Sequence, residues 1–207
     1  MAEAAATSIW LIRHPEPAGA AGCCYGSLDL KLSETGVGQA DALAEAMSRQ
    51  PLAAVCTSPR QRCAVPARRL AARCACSCVV MEALRELDHG EWEGRSYDEI
   101  AARDPERYRQ WMERPLEVRF PGGECFTEVR DRVLEAAAML RTRHRGQDIA
   151  LVSHAGPIRT ILADALGIAP ENLFRIGLDY GGVSLIRYWD GAPVVEFVNR
   201  TAYFPLR

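Results

Sequence analysis

Missing from this chain is any apolar run near the roughly 20 residues that a membrane-spanning helix needs. Positive charge is not in excess either. The 25 Lys and Arg stand against 27 Asp and Glu, a formal net charge of -2, so neither nucleic acid nor another polyanion is expected as a partner. The opening MAEAAATSIW has no basic n-region and carries an acid at Glu3, so no secretory signal is expected and the cytoplasm is the compartment read. The pattern G-x-x-x-x-G-K-[ST] is absent, which excludes a Walker-type nucleotide site. Internal repeats, low-complexity tracts and long linkers are lacking too. The span 1–207 is therefore read as one domain, with an inserted cap at about 85–125. Eight cysteines are present but no C-x-x-C pair. Cys74, Cys76 and Cys78 alternate, which on a strand turns all three sulfurs to one face, a poor start for a tetrahedral metal site. Reduced cysteines in a reducing compartment are the expectation, and no residue is assigned to a metal.

What is present is a globular composition, 48% hydrophobic and 25% charged, patterned as alternating strands and helices. Short apolar runs predict strands at 8–12, 53–57, 76–81 and 148–153. Helices are predicted at about 33–49, 59–73, 125–144 and 156–166. Two tail strands, 183–188 and 194–198, are joined at Asp190-Gly191, a hairpin signal. Between Glu82 and Cys125 the pattern turns rich in Trp, Arg and Glu, and two short helices at about 96–103 and 105–113 are read as the cap. The expected fold class is α/β: a three-layer αβα sandwich on a largely parallel sheet, with the small helical cap over the strand C-terminal ends.

In open α/β sheets, ligands bind beyond the carboxyl ends of the strands. The first strand runs into Arg13 and His14. The second leads to Ser58 and Arg62, the third to Arg85, Glu86 and Asp88, and the fourth to His154, Ala155 and Gly156. Singly, each has a plain reading: a surface histidine, a solvated helix arginine, a surface carboxylate, a helix cap. Jointly they suit one chemistry. Arginine forks match phosphate oxygens and keep their charge. A neutral imidazole is a nucleophile toward phosphorus. A nearby carboxyl group can protonate a departing alkoxide. The set suits phosphoryl transfer through a phosphohistidine, and clustered arginines would repel a metal ion.

Four segments carry a resemblance: LIRHPEP at 11–17, TSPRQRC at 57–63, LRELDHGEWEG at 84–94 and LVSHAGPIR at 151–159. In that order they resemble the histidine phosphatase superfamily, the phosphoglycerate mutase-like proteins. Within it the chain is most similar to the alpha-ribazole phosphatases, enzymes of cobalamin nucleotide-loop assembly. That finer likeness rests on Cys24-Tyr25-Gly26-Ser27, on DHGEWEGRS at 88–96 and on PGGECF at 121–126. The resemblance implies His14 as nucleophile, with Arg13, Arg62 and His154 holding the phosphoryl oxygens. It implies Glu86 as the acid that protonates the alcohol and then takes a proton from water. It places Tyr25, Gly26 and Ser27 with the substrate, has Glu124 help close the pocket, and requires no metal or organic cofactor. Pro15 and Pro17 depart from it, since the family tends to carry Gly or Thr, and Thr or Ser, at those positions.

The expected activity is thus a phosphomonoesterase acting on a small-molecule phosphate ester, with alpha-ribazole phosphate the leading substrate. A broad-specificity phosphatase, a mutase and a non-catalytic phospholigand-binding module are the alternatives. The family's mutases carry a longer insertion over the site than this chain has room for. The cap aromatics Trp92, Tyr97, Tyr108 and Trp111, with Met112, are read either as cap core or as a surface for the alcohol part of the substrate. Oligomeric state, a homodimer included, is open.

Overall fold

In a computed structural model the described residues are 6–201; the first half of the stretch read for a secretory signal, Glu3 included, lies outside them. The sheet has six strands in the order β3-β2-β4-β1-β5-β6. They are β1 (Thr7–Arg13), β2 (Leu52–Thr57), β3 (Ser77–Val80), β4 (Asp148–Ser153), β5 (Val183–Trp189) and β6 (Ala192–Arg200). The first four in spatial order run parallel, β5 pairs antiparallel with β1, and β6 pairs antiparallel with β5. The hairpin between β5 and β6 turns at Asp190 and Gly191, both at positive φ (48° and 91°). Two such residues give the turn whose twist matches the flanking strands.

The central strands are apolar without alternation because both of their faces are covered. Ile9 and Leu11 of β1, with Ile149 and Leu151 of β4, pack under α5 (Phe126–Arg143) and α6 (Ala155–Leu166) through Val129, Val133, Ile158 and Leu162. Trp10 and Ile12, with Val55 and Val152, face α1 (Glu34–Ala46) and α2 (Gln61–Arg73) through Leu43, Met47, Cys63 and Leu70. The result is the expected three-layer α/β sandwich. Leu11 is fully buried, and truncating such a side chain to alanine typically costs about 2–5 kcal/mol. The cap helices are α3 (Tyr97–Arg103), opened by a Ser96/Glu99 capping box, and α4 (Pro105–Glu113), opened by proline at its first position. Under them lies a small apolar cluster of Cys24, Trp92, Ile100, Val118 and Phe120.

Strand and helix ends fall within a few residues of the sequence expectation, except that β6 is longer and single turns of 3-10 helix occur at 82–84, 90–92 and 170–175. One expectation is overturned. Cys74, Cys76 and Cys78 do not alternate along a strand: Cys74 ends α2, and the chain turns at Ala75 (φ 51°) before β3 begins at Ser77. Only Cys78 is a strand residue. Among the described residues no group of three or more His, Cys, Asp or Glu is placed to hold a metal ion, and no helix is long and apolar enough to cross a membrane.

Candidate active site

The rim at the carboxyl ends of β1, β2 and β4 carries a cavity of about 300 Å³ lined by Arg13, His14, Arg62, Glu86, His154 and Tyr180, among others. The five residues expected to carry chemistry are thus brought together. Arg13 is the last residue of β1, paired in register with Ser153, the last of β4. His14 and His154 each follow directly. Their rings meet edge to face with centroids 5.1 Å apart.

His14 is 2% exposed, and its Nδ1 lies 2.8 Å from the carbonyl oxygen of Pro15. A carbonyl only accepts, so Nδ1 carries the proton and donates it, leaving the lone pair on Nε2. Pro15 serves here through its carbonyl, and the N–H that proline lacks plays no part in this contact. Burial, then the charges of Arg62 and Arg13, push the His14 pKa well below the usual histidine range. His154 is shifted the same way by burial, Arg62 and His14, and its Nε2 lies 2.8 Å from Ser58 Oγ. Both imidazoles are neutral near pH 7.

The arginines are held from behind. Arg13 Nη1 donates to the Leu178 carbonyl (2.6 Å), and its guanidinium lies 4.1 Å from the centroid of the Tyr180 ring. Arg62 is completely buried and donates from Nη1 to Leu28 O (2.5 Å) and from Nη2 to Gly26 O (2.7 Å). The loop presenting those carbonyls is ordered by Glu93, which accepts from the N–H groups of Gly26, Ser27, Leu28 and His89 at 2.9–3.3 Å. Among the described residues neither arginine has a carboxylate partner, and the Nε of each is buried without a hydrogen bond. Buried charges of this kind are costly unless an anion is recognised there.

Glu86 reaches the cavity from the loop after β3. Its carboxylate accepts from its neighbour Leu87 N–H (2.9 Å) and from Gly156 N–H (3.1 Å) in the first turn of α6. A Cβ at Gly156 would collide with that carboxylate, which explains the glycine two residues after His154. The loop itself is tied down by Arg132 of α5, which donates to the carbonyls of Ala83 and Arg85 (2.8 Å each) and Glu86 (3.1 Å).

Of the other expected binding residues, Tyr25 lines the cavity, its hydroxyl 2.7 Å from that of Tyr180. Gly26, Ser27 and Glu124 do not line it. Gly26 and Ser27 give their N–H groups to Glu93. Glu124 is engaged with Arg85 (2.9 Å) and Arg132 (3.0 Å) and accepts from Asp88 N–H (3.1 Å). It braces the loop that bears Glu86. Tyr180, Glu93 and Arg132 were not singled out from the sequence. Tyr180 precedes β5, and because β5 is antiparallel its start lies on the same rim as the ends of the parallel strands. Looking only after strands misses it.

Two expectations follow. An unfolded histidine takes up a proton near pH 6.5, whereas His14 and His154 in the native state do so only well below that. Stability is therefore lost as pH falls through and below about 6.5. The loss approaches about 1.4 kcal/mol per histidine between pH 7.5 and 5.5. Denaturant titrations at the two pH values should show it, with a smaller difference in His14→Ala. Arg132→Lys keeps the charge but loses the fork. It should slow alkyl phosphate hydrolysis about tenfold while affecting aryl phosphates less, the signature of a disturbed acid rather than a disturbed phosphate cradle.

A family model described as histidine phosphatase superfamily (branch 1) matches residues 9–201. The chain belongs to that superfamily. This histidine phosphatase is 32% identical over 194 residues to Phosphoserine phosphatase 1 of Hydrogenobacter thermophilus, covering 93% of the chain and 92% of the relative. It is 27% identical over 195 residues to Adenosylcobalamin/alpha-ribazole phosphatase of Salmonella typhimurium, covering 94% and 96%. Mycobacterial relatives 37% identical over 174 residues are longer, and the alignment spans 48% of their length. Among solved structures, the alpha-ribazole phosphatase from Shigella flexneri superposes with a TM-score of 0.86 at 26% identity, covering 94% of this chain and 97% of that one.

Proposed function

We propose that this histidine phosphatase hydrolyses phosphomonoesters through a phosphohistidine at His14, with alpha-ribazole phosphate as its substrate. The observation that carries the mechanism is the Nδ1 contact to Pro15 O, 2.8 Å, which leaves an unprotonated Nε2 beside two arginines that have no acid partner among the described residues. In the first half-reaction Nε2 attacks phosphorus and the bond from phosphorus to the ester oxygen breaks. Arg13, Arg62 and His154 stabilise the charge on the transferring oxygens, and Glu86 gives its proton to the departing alkoxide. In the second, Glu86 takes a proton from water, the resulting hydroxide attacks the phosphoryl group, and the N–P bond breaks to return free His14 and inorganic phosphate. No redox partner enters, and the electron pairs stay on oxygen and nitrogen throughout.

The alpha-ribazole reading is supported by the local likeness at 24–27, 88–96 and 121–126 and by the Salmonella and Shigella relatives. A second reading, phosphoserine, is favoured by the Hydrogenobacter relative at 32% identity. The elements from α3 to α4 act as a cap of one catalytic unit, and the eight free cysteines suit the cytoplasm. Phosphate release from alpha-ribazole phosphate, phosphoserine, phosphoglycerates, sugar phosphates and nucleotides, side by side and with EDTA, tests all of this. The expected result is a preference of at least tenfold for alpha-ribazole phosphate, untouched by chelator. Preference for phosphoserine would select the second reading, flat activity would make the enzyme broad, and a requirement for added divalent ion would overturn the mechanism.

A further inference from the structure

Glu86 and Tyr25 line two cavities at once. One is the polar cavity of the arginines and histidines. The other, about 160 Å³, is walled by Trp111, Phe126, Leu173 and Phe174 and includes Arg159. Resting on the phosphomonoesterase reading above, we propose that this second cavity seats the leaving alcohol, and that it is built for an alcohol carrying a flat aromatic ring.

A general acid must touch the oxygen that departs, so the bond being broken lies at Glu86 and the alcohol begins there. The second cavity opens from that same carboxylate. Its character is the reverse of the first, with four apolar walls contributed by α4, α5 and the turn at 170–175. Phe174 stands out among them. It is 52% exposed, an aromatic ring at a cavity mouth rather than in the core. The guanidinium of Arg159 lies 5.5 Å from its ring centroid. A flat ring seated against the walls formed by Trp111, Phe126 and Phe174 would cover their apolar surface, and aromatic contacts of that kind are favourable.

Arg159 supplies direction. Its Nε donates to Ile176 O at 2.8 Å, which fixes the plane of the guanidinium. Among the described residues its terminal nitrogens make no hydrogen bond or ion pair. They are free to donate to a ring nitrogen or a sugar hydroxyl, and a donor left unmatched in an apolar site penalises alcohols without such an acceptor. A serine-sized alcohol would leave the apolar walls wet, and its carboxylate rather than an aromatic ring is what would meet Arg159.

The test compares kcat/KM for 2-phenylethyl phosphate with that for ethyl phosphate. Wild type is expected to favour the aromatic ester by tenfold or more. In Phe174→Ala that ratio should fall about tenfold, mostly through KM, and in Phe174→Tyr it should be retained. A ratio near one in wild type, or one unchanged in Phe174→Ala, overturns the proposal. Calorimetry with the free nucleoside alpha-ribazole, which has no phosphate, decides the subsite separately from turnover. Binding to wild type that weakens in Phe174→Ala supports it, and no binding to wild type overturns it. Loss of all ester hydrolysis in wild type, with that binding intact, would remove the phosphatase reading and leave the aromatic subsite standing.

Discussion

In His14→Ala, turnover of every ester should fall by on the order of 10⁴-fold or more, because the side chain proposed to form the covalent intermediate is gone. His154 is the nearest imidazole, yet its Nε2 is engaged with Ser58 and it is fully buried. The variant should also fail to trap phosphate. Wild type quenched during turnover of a radiolabelled ester should carry label that is stable to base and released by acid, as a phosphoramidate is, and His14→Ala should carry none. The fold should survive, since among the described residues the ring makes one side-chain hydrogen bond, to Pro15 O. Removing a buried neutral imidazole also removes a group that resists protonation, so the variant should unfold less readily than wild type at pH 5.5 relative to pH 7.5. Label retained in His14→Ala would move the nucleophile elsewhere, and retained turnover without label would mean direct attack by water.

How far the site could be read without coordinates depends on which atoms do the work. The residues proposed to act, Arg13, His14, Arg62, Glu86 and His154, would do so through side chains that follow parallel strands, and the strand-end rule finds such residues from periodicity alone. Strand β4 was legible to the residue, because a four-residue apolar run bounded by Asp148 and Ser153 admits little else. Helix α4 was equally plain, opened by Pro105. Gly26, Ser27 and Glu124 were assigned to the substrate by likeness of motif, and the structure gives them supporting positions. A motif marks which residues stand near a site, not which way their groups point. Gly26 offers its carbonyl to Arg62 and its N–H to Glu93, a pairing of backbone groups that no residue-type pattern reveals. The cysteine alternation misled for a similar reason, because a period of two signifies a strand only where the backbone is extended, and Ala75 is not.

Glu86→Gln gives the most discriminating result. The amide cannot donate the proton that an alkoxide needs on leaving, nor accept one from water. For alkyl phosphates, whose leaving groups are strong bases, turnover should fall by about 10²–10⁴-fold. For an aryl phosphate such as p-nitrophenyl phosphate the departing phenolate needs little protonation, and the first half-reaction should be nearly spared. The second half-reaction still needs a base for water. The aryl ester should therefore show a burst of phenolate equal to the enzyme concentration, followed by slow turnover, with phosphohistidine accumulating. Glutamine keeps the size of the side chain, and its oxygen can still accept from Gly156 N–H, as Glu86 does at 3.1 Å, so the loop should hold its place. That separates loss of the proton from loss of geometry. If alkyl and aryl esters lose activity equally and no burst appears, Glu86 is not the acid. The contacts of Arg132 with the backbone from Ala83 to Glu86 would then serve stability alone. If the burst appears, Arg132→Lys should show the same bias toward aryl esters in weaker form, because a loosened loop presents the same acid less often.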